Sequence, residues 1–380
     1  MSKNTKSKTD KTLILIAVAL GVILVATVVL LFVVARKDKA LQGADQAIKL
    51  SAQGGFSCEY AEAQKLYAFG EGILKVTGNR IAYLTLSGNE VYSHTVNYSN
   101  PQCYIKGTKA VVFDMDGYGL LMLDNEKVLY EIPTSYKIKA VTISNNDLVG
   151  VITEGSEYSY GKIYIFDTDG TQVFDWTSND SGYPIGIAFN NDSSVLAITS
   201  LSTAGAVYEP YLRLYSLPNP ITSGQPADLG TFSVVDGAIF SSVLYCNDTL
   251  YTFSTNSVYT LLDDQIVPLN LDFGSINQVN TVGGVVFIVY SDGVDQMNKI
   301  AVINSRGDTI YNSPVGNEIN AVATSDSLYA LSIDDRIYVF NTSGTIISDI
   351  SVDEDVLRIG FIGNNKLIII STGGVHTVDY

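Results

Sequence analysis

The sequence predicts an all-β fold, a β-propeller of four-stranded blades, with a single transmembrane helix at its N-terminal end. Three observations predict it. A strand–turn–strand phrase recurs at a near-constant interval, the last copy stops one strand short, and one uncharged run of 24 residues stands apart from the rest.

The uncharged run, residues 12–35, is dense in Leu, Val, Ile and Ala. As a helix it is roughly 36 Å long, enough to cross a hydrocarbon core of about 30 Å. It is apolar all round, unlike an amphipathic core helix. It ends in Arg36-Lys37-Asp38-Lys39 with no small-x-small cleavage site, so it reads as an uncleaved signal anchor. Lysines 3, 6, 8 and 11 precede it and Arg36, Lys37 and Lys39 follow, so charge bias alone does not orient it. A short basic tail ahead of the only span favours a cytoplasmic 1–11. Residues 36–53 then form a juxtamembrane stalk, and 54–380 an extracytoplasmic propeller at the cell membrane.

The repeated phrase is clearest at Tyr164-Ile165-Phe166-Asp167-Thr168-Asp169-Gly170-Thr171-Gln172-Val173. An apolar β-branched and aromatic run ends at Asp or Asn, a glycine follows three positions later, and a second apolar run begins. That is a hairpin with glycine in the positive-φ position. It returns at Asn304 to Gly307 and Asn341 to Gly344, with degenerate copies at Thr85, Asp124, Ser216, Asp263 and Asp379. The intervals run from 37 to 49 residues with a mean of 42, the period of a four-stranded blade. In the seventh unit, 319–323, 327–332, 336–340 and 345–350 are the four strands. The eighth has room for only three, at 357–361, 366–371 and 375–380. An unpaired position leaves backbone groups bare and the circle open, so residues 54–60 are expected to supply the missing strand. Eight blades are expected; seven is the alternative, because units four and five are irregular, and a solenoid or sandwich explains the short last unit less simply.

Composition narrows function. With 46% hydrophobic residues the chain has ample core. Residues 1–39 hold seven bases and two acids, and residues 40–380 hold 16 bases and 37 acids, a net of −21. Such a surface repels phosphate backbones, so nucleic acid is not an expected partner. Cys58, Cys103 and Cys246 cannot make a disulfide framework and read as small buried hydrophobes. His94 and His376 are the only histidines, both in strand contexts that suggest surface positions, which leaves little for a metal site or a Ser–His–acid arrangement. Asp167-x-Asp169-Gly170 and Asp114-x-Asp116-Gly117 echo the start of a calcium loop. Ser178 holds the twelfth position of the first, and Glu126 only the thirteenth of the second, so both read as turns. No P-loop, dinucleotide fingerprint or Gly-x-Ser-x-Gly elbow is present.

Loop length points to a binding rim. The connections 154–161, 201–211 and 291–298 between second and third strands are long, and in this fold they share a face with the inter-blade connections. They place Glu157, Tyr158, Tyr160, Tyr208, Glu209, Tyr211, Asp292 and Asp295 on one rim. Tyrosine, with a large contact area and a polar tip, suits recognition.

The segment from Phe166 to Trp176 (Phe-Asp-Thr-Asp-Gly-Thr-Gln-Val-Phe-Asp-Trp) resembles the PQQ-type propeller repeat. With Tyr92-Ser93-His94-Thr95-Val96, Ser99-Asn100-Pro101 and Tyr211-Leu212-Arg213-Leu214-Tyr215, the layout is similar to an uncharacterised family of membrane-anchored PQQ-like propellers of Gram-positive bacteria. The resemblance implies fold and anchoring. True quinoproteins use many blade-terminal tryptophans and often adjacent cysteines. This chain has Trp176 alone and no vicinal pair, so no cofactor, PQQ included, is expected. The reading is a non-enzymatic binding or scaffolding module for an envelope protein, peptide or glycan. The alternative is an extracellular carbohydrate-active hydrolase or lyase using paired channel carboxylates.

Overall fold

The computed structural model describes residues 47–380 apart from 219–220, 222–223, 225, 234–236, 270, 272, 294–296 and 364. The predicted span 12–35 lies outside them. Among the described residues no helix is long and apolar enough to cross a membrane.

Among the described residues, thirty-two strands form eight four-stranded antiparallel sheets. Seven blades are built from consecutive strands, at 66–95, 101–133, 138–178, 183–233, 242–268, 275–316 and 319–351. The eighth takes Val356–Ile362, Lys366–Ser371 and Gly374–Asp379 from the C-terminal end and Gly54–Ser57 from the N-terminal end. Gly54 pairs with Thr377, Phe56 with Val375 and Ser57 with Gly374. The ring is therefore closed by both ends of the chain, by the segment the short last unit points to. First strands of neighbouring blades touch around the axis, so the first strand of each blade is innermost.

The recurrent turn has one mechanism. All eight predicted markers fall at or one residue beyond the end of a third strand. At Asp167 the carboxylate accepts from the Asp169 and Thr171 amides at 3.2 and 2.9 Å. Asn304 and Asn341 do the same for the amides two and four residues on, at 2.9 and 3.0 Å and at 3.0 and 3.0 Å. The glycine that follows sits at positive φ, 83° at Gly170, 84° at Gly307 and 77° at Gly344, a conformation that side chains with a Cβ disfavour. The bare glycine also faces the outer edge of the preceding blade: Tyr130 under Gly170, Leu269 under Gly307, Tyr311 under Gly344. Gly88 of blade 1 meets Phe56 in the same way. The closing strand thus makes the contact that blades 2, 5 and 6 make from their own outer edges.

The core lies between blades. Eight apolar clusters are buried, one at each blade-to-blade interface, including blade 8 against blade 1 through Ile368, Ile370, Val375, Leu66, Ile73 and Ala82. Middle strands are covered on both faces, which is why they read as unbroken apolar runs such as Val285-Val286-Phe287-Ile288-Val289-Tyr290. Outer strands alternate, as in Glu90–Thr95. Each fully buried Leu, Ile or Phe contributes about 1.5–3 kcal/mol.

Of the segment 36–53, expected as a stalk, residues 47–53 are described, and they lie on the ring. Ile48 bridges to Val352, and its amide donates to the Ser351 carbonyl at 2.7 Å. The Leu50 amide donates to Asp353 Oδ1 at 2.9 Å. The Leu50 side chain is fully buried in the cluster between blades 7 and 8.

Candidate binding face and central channel

The alternation of strand direction sorts the loops. Second-to-third-strand loops and inter-blade connections share the upper face; the other hairpin turns share the lower one. The predicted rim residues that are described lie on the upper face. Tyr158 is 82% exposed and Tyr208 64%, and Glu157 and Glu209 are exposed beside them in sequence. Tyr160 is half-buried and sets its ring against the edge of Tyr183 at 5.1 Å, joining the upper loops of blades 3 and 4. Tyr211 donates its hydroxyl to Glu209 at 2.5 Å, and that bond pushes the phenol's pKa up. Asp292, on blade 6, is paired with Lys299 of its own blade and is separated from the others by blade 5. Asp295 lies outside the described residues.

Loop length alone missed part of this face. Among the described residues, seven large apolar side chains are exposed on upper loops or strand starts: Tyr60, Tyr118, Tyr158, Tyr183, Val207, Tyr208 and Ile239. Six of them follow one another around blades 2 to 5. The other exposed ones sit on outer strands (Val91, Leu229, Ile310, Ile347), at the end of a third strand (Leu262) or in the channel (Tyr104). Tyr118 occupies the short Gly117-Tyr118-Gly119 loop, and Tyr183 opens an inner strand, so neither stands in a long connection. Lys139 ties the upper loops of blades 2 and 3 together, 2.6 Å from Asp116 and 2.7 Å from Glu154.

A cavity of about 610 Å³ lies between the closing strand and blade 1, where Phe56 and Cys58 face Lys75, Arg80 and Glu90. Its charges are already matched, Lys75 with Glu62 and Arg80 with Glu90 at 2.7 Å.

The central channel opens as a cavity of about 1030 Å³ lined by the inner strands of blades 1, 2, 6, 7 and 8 and their lower turns. Small, apolar and amide side chains dominate its wall. Its carboxylates are Glu71 and Asp326, on the lower turns of blades 1 and 7 with blade 8 between them. Arg358 lies over the Tyr67 ring, 4.1 Å from its centroid. Burial inside the ring pushes the Cys103 thiol up to about 12, against the pull of the Arg358 charge. Lys106 donates to the Ile143 carbonyl at 3.0 Å, and its pKa is lowered by burial.

The thiols are free. Cys246 is buried as expected, whereas Cys58 and Cys103 are only half-buried because each faces a cavity. The two histidines also part ways. His94 is a surface group paired with Glu131 at 2.8 Å. His376, expected at a strand surface, is 5% exposed instead, because blade 8 is covered on both faces there. Its Nε2 lies 3.0 Å from Ser371 Oγ and 3.7 Å from Glu354, and Ser371 also bonds Glu354 at 2.5 Å. Serine and carboxylate meet the same ring nitrogen, and Ser371 is fully buried. A nucleophile needs the acid on the opposite nitrogen and access to substrate, so this trio braces the last hairpin. The Asp114 and Asp167 loops are turns too: Asp114 Oδ1 accepts from the Asn100 amide at 2.7 Å, and Asp167 caps its own loop. Among the described residues no three His, Cys, Asp or Glu side chains are gathered to hold a metal ion.

Fold and geometry define an eight-bladed β-propeller with a rigid loop face and a channel. The chain belongs to the Family of unknown function (DUF5711), whose profile matches residues 48–379. No curated protein matches it. Among solved structures it is similar to BamB from Moraxella catarrhalis, at 14% identity and a TM-score of 0.50, covering 87% of this chain and 99% of that one. It is also similar to apo AztD from Citrobacter koseri, at 12% identity and 0.51, covering 76% and 86%. A eukaryotic initiation factor matches at 12% identity and 0.51, covering 83% and 80%. Identities this low establish the fold, and proteins so different in name share it.

Proposed function

We propose that this propeller is a membrane-anchored, extracytoplasmic binding or scaffolding module whose upper face docks an envelope protein, peptide or glycan. One observation carries the reading: six exposed large apolar residues, four of them tyrosines, follow one another on the upper loops of blades 2 to 5. Large apolar side chains gathered on one face of a protein, unlike ones scattered singly, mark interaction surfaces. Tyrosine at such sites gives contact area at low entropic cost. The neighbouring Glu157 and Glu209 and the acidic balance of residues 40–380 favour a neutral or basic partner. The uncharged 12–35 run supports anchoring, and the short basic tail before it supports an outward-facing propeller.

The hydrolase or lyase alternative has no observation in its favour, since Glu71 and Asp326 stand on turns separated by a whole blade. A photo-crosslinking residue placed at Tyr158 or Tyr208 of the full chain in its native membrane tests the docking face. We expect one discrete adduct that the same group at Ser325, on the lower face, does not give. Equal adducts from both faces, or none from the upper one, would refute the assignment. Protease added to intact cells tests sidedness: digestion of residues 54–380 is expected, and full protection would reverse the orientation.

A further inference from the structure

The inner strands carry an unusual charge pattern. Across all eight, the charged side chains are Lys106, Lys139 and Arg358, with no carboxylate among them, in a chain of 39 acids and 23 bases. Lys139 is held by Asp116 and Glu154 on the upper face, and Lys106 by the Ile143 carbonyl. Arg358 is left. Among the described residues it has no ion pair and donates no hydrogen bond; its partner is the face of Tyr67.

We propose that the central channel binds a small organic carboxylate, received by the guanidinium of Arg358. Stacking on Tyr67 occupies one face of the guanidinium and leaves its in-plane N–H groups free. Those are the groups that grip a carboxylate in two parallel hydrogen bonds. None of its nitrogens is among the buried atoms without a partner, so they are open to an entering ligand, and a carboxylate there makes charge-assisted bonds stronger than neutral ones. On the side toward blade 1 the cavity offers Tyr67 and Ala68, with Leu357 on the strand of Arg358 and Cys103 and Tyr104 on blade 2, which suits a carboxylate attached to an apolar body. The two carboxylates of the cavity, Glu71 and Asp326, lie on the lower turns and leave the strand wall around Arg358 free of like charge to the ligand. At about 1030 Å³ the space is ample for such a molecule. This site is distinct from the upper docking face, and either can fail without the other.

Cys103 lines the same cavity and feels the Arg358 charge, so it reports on the site. The full-length chain in non-ionic detergent at about pH 9 is treated separately with iodoacetate and iodoacetamide, and each cysteine is followed by peptide mass spectrometry. Iodoacetate carries the carboxylate; iodoacetamide is its neutral counterpart. The expected result is a preference for iodoacetate at Cys103, relative to Cys58, of roughly tenfold, the factor one charge-assisted contact supplies. Arg358→Gln should abolish that preference, and Arg358→Lys, which keeps charge without the fork, should retain part of it even if the Gln variant folds poorly. Phenylacetate should slow Cys103 labelling where phenylacetamide does not. Equal protection by phenylacetamide would overturn charge recognition, and equal protection by inorganic phosphate would overturn the assignment to carboxylate. Calorimetric titration of phenylacetate decides the case in which neither reagent reaches Cys103: binding weakened about tenfold in Arg358→Gln supports the site, and equal or absent binding in both proteins refutes it.

Discussion

The turn glycines make a graded test of how the blades lock together. Gly344, Gly307 and Gly107 have positive φ values of 77°, 84° and 57°, so alanine costs about 1–2 kcal/mol of backbone strain at each. What differs is the space. A methyl group at Gly107 meets nothing within 4 Å, at Gly307 it comes within 3.0 Å of the mobile end of Leu269, and at Gly344 it falls 2.4 Å from Tyr311 Cβ. The Leu269 atoms met there are the end of a flexible side chain, whereas a Cβ moves only with its backbone. The third substitution therefore adds an overpacking cost of about 1–3 kcal/mol. Gly107→Ala and Gly307→Ala should each lose about 1–2 kcal/mol, and Gly344→Ala about 2–5 kcal/mol in all. Urea unfolding followed by circular dichroism measures the series, with the midpoint and slope fitted separately. Tyr311→Ala removes the ring carbons that crowd the added methyl at 2.5 and 3.0 Å but keeps the Cβ at 2.4 Å, so combining it with Gly344→Ala should recover part of the overpacking cost and not all of it. If Gly344→Ala proves no worse than Gly107→Ala, or Tyr311→Ala recovers nothing, the blade-to-blade contact described here is wrong.

Three further outcomes follow from the same contacts. Gly55 has φ 133° and lies where a Cβ would stand 1.9 Å from the Val375 carbonyl oxygen; Gly55→Val should detach the closing strand, seen as amide exchange rising at Val375 and Thr377 while blades 3 to 5 stay protected. His376 has its pKa lowered, chiefly by burial and against the opposing charges of Glu354 and Asp353. An unfolded chain then takes up a proton near pH 6.5 that the folded one resists, so stability is full above pH 6.5 and falls as pH drops through the folded value; His376→Gln should flatten that slope in urea midpoints, and an unchanged slope would count against burial as the cause. Tyr158→Ala with Tyr208→Ala should leave the unfolding free energy within about 0.5 kcal/mol per site while the upper-face adduct disappears, and loss of stability instead would mean that these rings are structural.

Much of the ring could be read from residue types because the turn permits few of them. An Asp or Asn must cap the amides, and a glycine must take the positive φ and pass under the neighbouring outer strand, so the marks at Asp167, Asn304 and Asn341 survive in the sequence. Closure was legible for a different reason: residues 356–379 supply one strand too few, and backbone pairing requires another. The functional surface left weaker traces. Exposure of Tyr118 and Tyr183 depends on where short loops emerge, which no spacing rule encodes. The burial of His376 depends on residues 47–53 packing over blade 8, with Leu50 and Glu354 beside its ring. Arg358 and Tyr67 come from opposite ends of the chain and meet only because the ring closes.

The docking of residues 47–53 has a mechanical consequence. Any load arriving from the direction of residue 1 reaches the Ile48–Val352 bridge and the inserted Leu50 side chain before it reaches the closing strand. To peel that strand away, a pull must first draw Leu50 out from between two blades. The propeller thus carries its own strain relief, a cleat that takes up tension where residues 47–50 join the ring and leaves the latch behind it slack.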